Sequence, residues 1–204
     1  IIYEENLSNL QAFSGSCGAL TSLGCSAGES LTLTGLTAGQ TYYLRNYYPA
    51  NLTPAIYNGY KLSILSPVTN DECTGAVTLL PVSNNKADVS MRQFHNYLAT
   101  ASFSGPPQGN NDDDVWFKFI ATNSTHTIYV PTGEIIPNGT MVKIVYSGNC
   151  GNLTSVGYGA AEDYTISGLT IGNTYYVCLY NTAINTVIRN TFSIAILEPA
   201  TNDE

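Results

Sequence analysis

The residues best suited to chemistry in this chain are acids and aromatics. Asp112, Asp113 and Asp114 precede a β-rich run, and Asp71 and Glu72 belong to an earlier N-D-E-C stretch. Clustered loop carboxylates offer the hard oxygens that Ca2+ takes, with backbone carbonyls completing the shell. Their spacing matches no defined calcium loop, and acids at the start of a strand also serve as a plain hydrated surface. Trp116 and Tyr176 lie in runs rich in Phe and Tyr and could stack on a sugar ring. Core and cross-strand packing is the usual job of strand aromatics and is the favoured reading here. The two histidines, His95 and His126, are isolated from each other and from any nucleophile pattern, and no G-x-S-x-G turn occurs. The acids share one loop instead of facing across a cleft, unlike a glycosidase pair. The chain is therefore not expected to be an enzyme.

Composition narrows the partners. The chain has 204 residues, 44% hydrophobic and only 11% charged, with a net charge of −8 and seven Lys plus Arg. An average soluble chain carries roughly 25% charged residues, so solubility here rests on neutral polar groups, as in many extracellular β proteins. Binding nucleic acid requires a basic face to displace counterions, which these cations cannot furnish; an anionic membrane is disfavoured for the same reason. No apolar stretch is long enough to span a bilayer, and no signal peptide pattern is visible.

The elements that must position these residues repeat. Residues 14–43 and 147–176 align without a gap at an offset of 133, with 18 of 30 positions identical. Residues 60–67 match 192–199 at an offset of 132, and T-N-D-E occurs at 69–72 and again at 201–204. The period is the size of a whole domain. The expected organisation is the C-terminal half of one repeat over 1–67, a complete repeat over 70–199, and the start of the next over 200–204.

Helical periodicity is absent, and short β-rich runs are separated by Gly, Asn, Pro and Ser. Strands are expected near 75–80, 96–103, 114–121, 125–130, 140–146, 164–168, 174–181 and 191–197. Eight short strands with long loops indicate an all-β chain of tandem antiparallel β-sandwich repeats, jelly-roll or Ig-like. Alternation puts Val115, Phe117 and Phe119 on one face and Trp116 and Lys118 on the other. It likewise separates Tyr175, Val177 and Leu179 from Tyr176, Cys178 and Tyr180.

Cys17 and Cys25 lie eight residues apart in what reads as one loop, so a local disulfide is expected, in keeping with an oxidising compartment. In the second copy Cys150 persists but Tyr158 replaces the partner. Cys73, Cys150 and Cys178 remain, one of them open to a cysteine of a neighbour. No C-x2-C spacing occurs, and with two histidines a structural zinc is not expected.

The segments N-D-E-C (70–73), N-D-D-D-V-W-F-K-F-I-A (111–121), H-T-I-Y-V (126–130), V-Y-S-G-N-C-G-N-L-T-S-V (145–156) and G-L-T-I-G-N-T-Y-Y-V-C-L-Y (168–180) form a recognisable set. They resemble the repeated β-sandwich domains of very large surface and secreted proteins of gliding bacteria that use type IX secretion. Those domains are similar to bacterial pre-peptidase C-terminal domains. The resemblance implies an extracellular or cell-surface, non-catalytic module of an adhesin or filament, acting as spacer and contact. Its partners would be neighbouring repeats, identical chains or surface glycans, with calcium as the one cofactor to consider. The alternative is a carbohydrate-binding accessory domain of a secreted hydrolase.

Overall fold

A computed structural model describes residues 2–4, 9–27, 30–47, 62–86, 92–104, 107, 109, 111, 113–131, 140–182 and 191–200. The chain divides into two compact units, Ile1–Pro67 and Val68–Glu204. Among the described residues the only helical turn is a 3-10 turn at Cys73–Gly75.

The first unit carries β1 (Ile2–Glu4), β2 (Asn9–Ser16), β3 (Ala19–Ser26), β4 (Ser30–Leu31), β5 (Tyr43–Tyr47) and β6 (Leu62–Ile64). The second carries β7 (Val77–Thr78), β8 (Pro81–Val82), β9 (Gln93–His95), β10 (Val115–Ile120), β11 (Thr125–Tyr129) and β12 (Met141–Asn149). It continues through β13 (Asn152–Gly159), β14 (Asp163–Ser167), β15 (Thr174–Asn181), β16 (Thr191–Ser193) and β17 (Ala195–Leu197).

The second unit is a β-sandwich. One sheet runs β13-β12-β15-β10-β7 and the other β14-β11-β17-β8, with β9 and β16 as a separate pair. The V-W-F-K-F-I alternation makes β10 a central strand, antiparallel to β15 from Val115↔Leu179 to Ile120↔Thr174 and parallel to β7. Its inward residues Val115, Phe117 and Phe119 are fully buried, as are Val177 and Leu179 of β15 and Ile128 and Ile196 of the facing sheet. Phe94 meets Phe117 edge-on at 4.9 Å between ring centres, a favoured aromatic geometry.

The same sheet is apolar on its outer face too. Trp116, Val142, Ile144, Cys178 and Tyr180 form a second buried layer. Phe103, from the segment expected as a strand over 96–103, lies edge-on to Trp116 and Tyr180 at 6.5 and 6.4 Å. That segment is not a strand: it turns at Tyr97 and Leu98 and then runs irregularly over the outer face. Its Thr100 and Ser102 amides donate to the side chains of Asp71 and Asp114 instead of to a neighbouring strand.

A strand not expected from the sequence is β13, which pairs with β12 from Lys143 to Asn149. Its alternation is broken by a bulge: Val145 faces Gly157 while Tyr146 faces Ser155, leaving Val156 as the extra residue. The hairpin of β2 and β3 repeats this register, with Ala12 facing Gly24, Phe13 facing Ser22 and Leu23 as the extra residue. Each hairpin carries a glycine at φ near +100°, Gly15 and Gly148, whose missing Cβ would lie 2.4 Å from a backbone oxygen across the hairpin. In the first unit β3-β2-β5 and β4-β1-β6 form two three-stranded sheets around Leu10, Ala12 and Leu31.

Candidate functional site

The acids that dominate the sequence converge on the start of β10, where they hold loops together. Asp114 is fully buried. Its Oδ1 accepts from the Ser102 amide at 2.8 Å, and its Oδ2 accepts from the Trp116 indole at 2.9 Å and the Cys178 thiol at 3.6 Å. Burial pushes its carboxyl above the usual range, against the Ser102, Trp116 and Cys178 hydrogen bonds that favour the carboxylate. Asp113, also buried, accepts from the Asn96 side chain and, at 3.2 Å, from the Asn181 amide. Asp71 accepts from the Thr100 amide at 2.6 Å and the Thr100 hydroxyl at 2.9 Å. Glu72 is exposed at the 3-10 turn, and Asp112 lies outside the described residues. Carboxylate oxygens of Asp71, Asp113 and Asp114 thus each accept hydrogen bonds from protein donors. Among the described residues no three His, Cys, Asp or Glu gather as a metal site.

Trp116 is 3% exposed. Its indole N–H also reaches the Ser102 hydroxyl at 2.9 Å, its ring lies 5.5 Å from that of Tyr146, and its backbone is bonded in both directions to Asn70. It packs under a loop and presents no face to a sugar. Tyr176 is half-buried beside the same layer.

The expected Cys17–Cys25 bridge does not form; both are exposed thiols. The reason is the unforeseen β3. Cys17 sits at the hairpin turn, while Cys25 pairs opposite Gln11, six residues up the strand, roughly 20 Å away at strand rise and far beyond disulfide reach. The bond that exists is Cys73–Cys150, with Cα atoms 5.6 Å apart. It ties the 3-10 turn before β7 to the turn between β12 and β13. Cys178 is buried, and burial, together with the neighbouring Asp114, pushes its thiol up, away from reactivity.

His126 is fully buried and structural. Its Nε2 accepts from the Thr122 and Asn123 amides at 3.2 and 3.1 Å, which leaves the Nδ1 proton to donate to the Leu197 carbonyl at 3.2 Å. His95 is half-buried, and desolvation lowers its pKa.

Two features escaped the sequence reading. Lys143 points inward with Met141 and Val145, is 1% exposed, and donates to the Ala161 carbonyl at 2.6 Å. Burial lowers its pKa to about 8, against the raising pull of Asp163 and Glu162. Its counterpart at offset 133 is Leu10, which takes the same place in the register of the first hairpin and is a buried core residue there. The second feature is the outer surface of the hairpins. Leu20 and Leu23 are 43% and 42% exposed, and Val156 and Tyr158 are 42% and 49% exposed. The bulge residues Leu23 and Val156 occupy the same repeat position.

These features define a β-sandwich module whose buried acids and indole bond to its own loops and whose two hairpins each expose apolar side chains. Residues 69–194 match the galactose-binding-domain-like family associated with type IX secretion, and the chain belongs to that family. Domains of this family are characteristically non-catalytic, and the association with type IX secretion points to a secreted or envelope location. No curated protein matches the chain. Among solved structures, PliG of Aeromonas hydrophila, a periplasmic inhibitor of g-type lysozyme, is similar over 59% of this chain and 98% of its own, at 10% identity and a TM-score of 0.31.

Proposed function

We propose that the chain is a contact and spacer module of a large secreted or cell-surface adhesin, built from tandem sandwich repeats. The observation that carries this reading is the hairpin that recurs at offset 133 with the same bulge and the same exposed apolar position, Leu23 and Val156. One such edge gives a small, weak contact. Repeated along an array it gains avidity through effective concentration, while the Cys73–Cys150 disulfide and the buried polar network brace the second unit under load.

The family's galactose-binding-like character favours one second reading, a carbohydrate-binding accessory domain. A single experiment separates the two. The full chain is applied to methyl-terminated and hydroxyl-terminated surfaces and to a glycan array, with calcium and with chelator, beside a Leu20→Asp/Leu23→Asp/Val156→Asp/Tyr158→Asp variant. Retention on the methyl surface that the variant loses, with a silent array, is the expected result. Binding to a defined sugar that the variant retains would replace the adhesive reading with the accessory one.

A further inference from the structure

Among the described residues of the second unit, the strands before and after the β12–β13 turn interleave. β13 pairs with β12, β14 with β11 and β16 with β9, while β15 lies between β12 and β10 and β17 between β11 and β8. No two strands of the later set, β13 to β17, pair with each other, and in the earlier set only β7 and β10 do. The Cys73–Cys150 disulfide sits at the seam between the sets. Cys73 precedes β7, and Cys150 lies in the turn between β12 and β13. The bond therefore joins the two ends of the earlier set and closes β7 to β12 into one covalent loop.

A pull on the chain ends meets this loop in a definite way. Tension enters along residues 68–72, where Asn70 is bonded in both directions to Trp116 and Asp71 holds Thr100. At Cys73 the covalent path forks. One branch crosses the disulfide to Cys150, 5.6 Å away between Cα atoms, and the other runs through a sequence separation of 77 residues. The short branch is taut long before the long one is extended, so it carries the load. Tension then passes into β13. At the far end it acts on β17, whose exit is held by Glu198: its amide donates to the Val82 carbonyl at 2.8 Å, and its carboxylate accepts from the Thr122 hydroxyl and the Asn123 side chain.

We propose that the disulfide divides the second unit by load: under end-to-end tension β13 to β17 draw out, while β7 to β12 remain a closed loop that bears no tension. The inference rests on the spacer reading for its use, since a spacer is pulled by its ends. A stretched module lengthens by its later set alone, and when the load falls β15 returns between two strands that the loop has kept beside it. Reduction removes this stop, so the redox state of Cys73 and Cys150 sets the greatest length the module reaches. Cys178 is a buried thiol on β15 and is uncovered by the extension.

The test stretches the full chain between peptide tags at its two ends, with Cys17→Ser and Cys25→Ser leaving Cys178 as the one free thiol. Fully extended length is recorded with and without dithiothreitol, which closes its own ring disulfide as the Cys73–Cys150 bond becomes two thiols. The expected gain on reduction is the length of the loop, roughly 270 Å at about 3.5 Å per residue. A Cys73→Ser/Cys150→Ser variant should reach the longer extension without reductant. A maleimide dye should label Cys178 in the oxidised chain held extended and leave it unlabelled in the chain at rest. Equal lengths for the oxidised chain and the double-Ser variant, or a Cys178 that stays unlabelled at full oxidised extension, would each overturn the proposal. Both readouts follow chain length and thiol access, so a failure of surface adhesion is seen separately.

Discussion

The indole N–H of Trp116 donates to the carboxylate of Asp114, two residues earlier, at 2.9 Å, and both side chains are buried. The aromatic and the acid most readily read as ligand-binding groups therefore satisfy each other. Asp114 also holds the Ser102 amide, so a single carboxyl fastens the roof segment to the sheet.

Replacing Asp114 with Ala leaves the indole and the Ser102 amide without an acceptor that matches in place. The expected loss is about 2–4 kcal/mol, from stranded buried donors, with Asp114→Asn less costly. Urea denaturation followed by Trp116 fluorescence measures both.

The pH dependence of that carboxyl has a definite sign. Its folded pKa is raised, so the folded state holds the proton more tightly than the unfolded chain does. This contribution is fully present below the unfolded carboxyl's pKa and is lost as pH rises through the folded one. Asp114→Asn should abolish that decline, read as the slope of stability against pH through the acid range.

Lys143 behaves in the opposite sense on the alkaline side. Its folded pKa, about 8, lies below its ordinary value of 10.5, so the unfolded chain binds more protons between the two. Stability should therefore rise from about pH 8 to pH 10. Lys143→Leu, which installs the residue of the equivalent position Leu10, should flatten that rise. Near neutral pH it should stabilise by about 1–2 kcal/mol, the relief of burying a charge less one hydrogen bond. Ala161 is exposed, so water replaces the lost donor at its carbonyl. Urea midpoints across pH 6–10 test the claim.

The disulfide closes a sequence separation of 77 residues. In the chain-entropy account, Cys73→Ser with Cys150→Ser should cost about 4 kcal/mol. Denaturant midpoints with and without a reductant show the same shift. Non-reducing peptide maps of the full chain should contain the Cys73–Cys150 pair and no Cys17–Cys25 pair.

Gly148 is held at φ +101°, where an added Cβ meets the Asn152 carbonyl oxygen at 2.4 Å. Gly148→Ala should destabilise by about 2–4 kcal/mol through strain and displaced backbone. The expected signature is faster amide exchange along β12 and β13 ahead of the rest of the sandwich.

Much of this protein was legible in its residues because strand alternation is a local property. The facing of Val115, Phe117 and Phe119 away from Trp116, and of Val177 and Leu179 away from Cys178 and Tyr180, follows from a period of two and holds in the folded sheet. The all-β class and the association with type IX secretion were equally readable, the one from turn residues and short runs, the other from a motif set that the family shares. What sequence could not settle depends on contacts between distant segments. The bulges at Leu23 and Val156 break the alternation of β3 and β13, so both strands read as loops, and Cys17 and Cys25, near opposite ends of β3, read as neighbours. The acids near Trp116 read in the sequence as a hydrated or calcium-binding cluster, and the contact that brings Ser102 within 2.8 Å of Asp114 comes from the remote 96–104 segment. Local pattern fixes which way a side chain points. Only the meeting of remote segments decides whether it is covered, what it bonds, and whether it remains available to a partner.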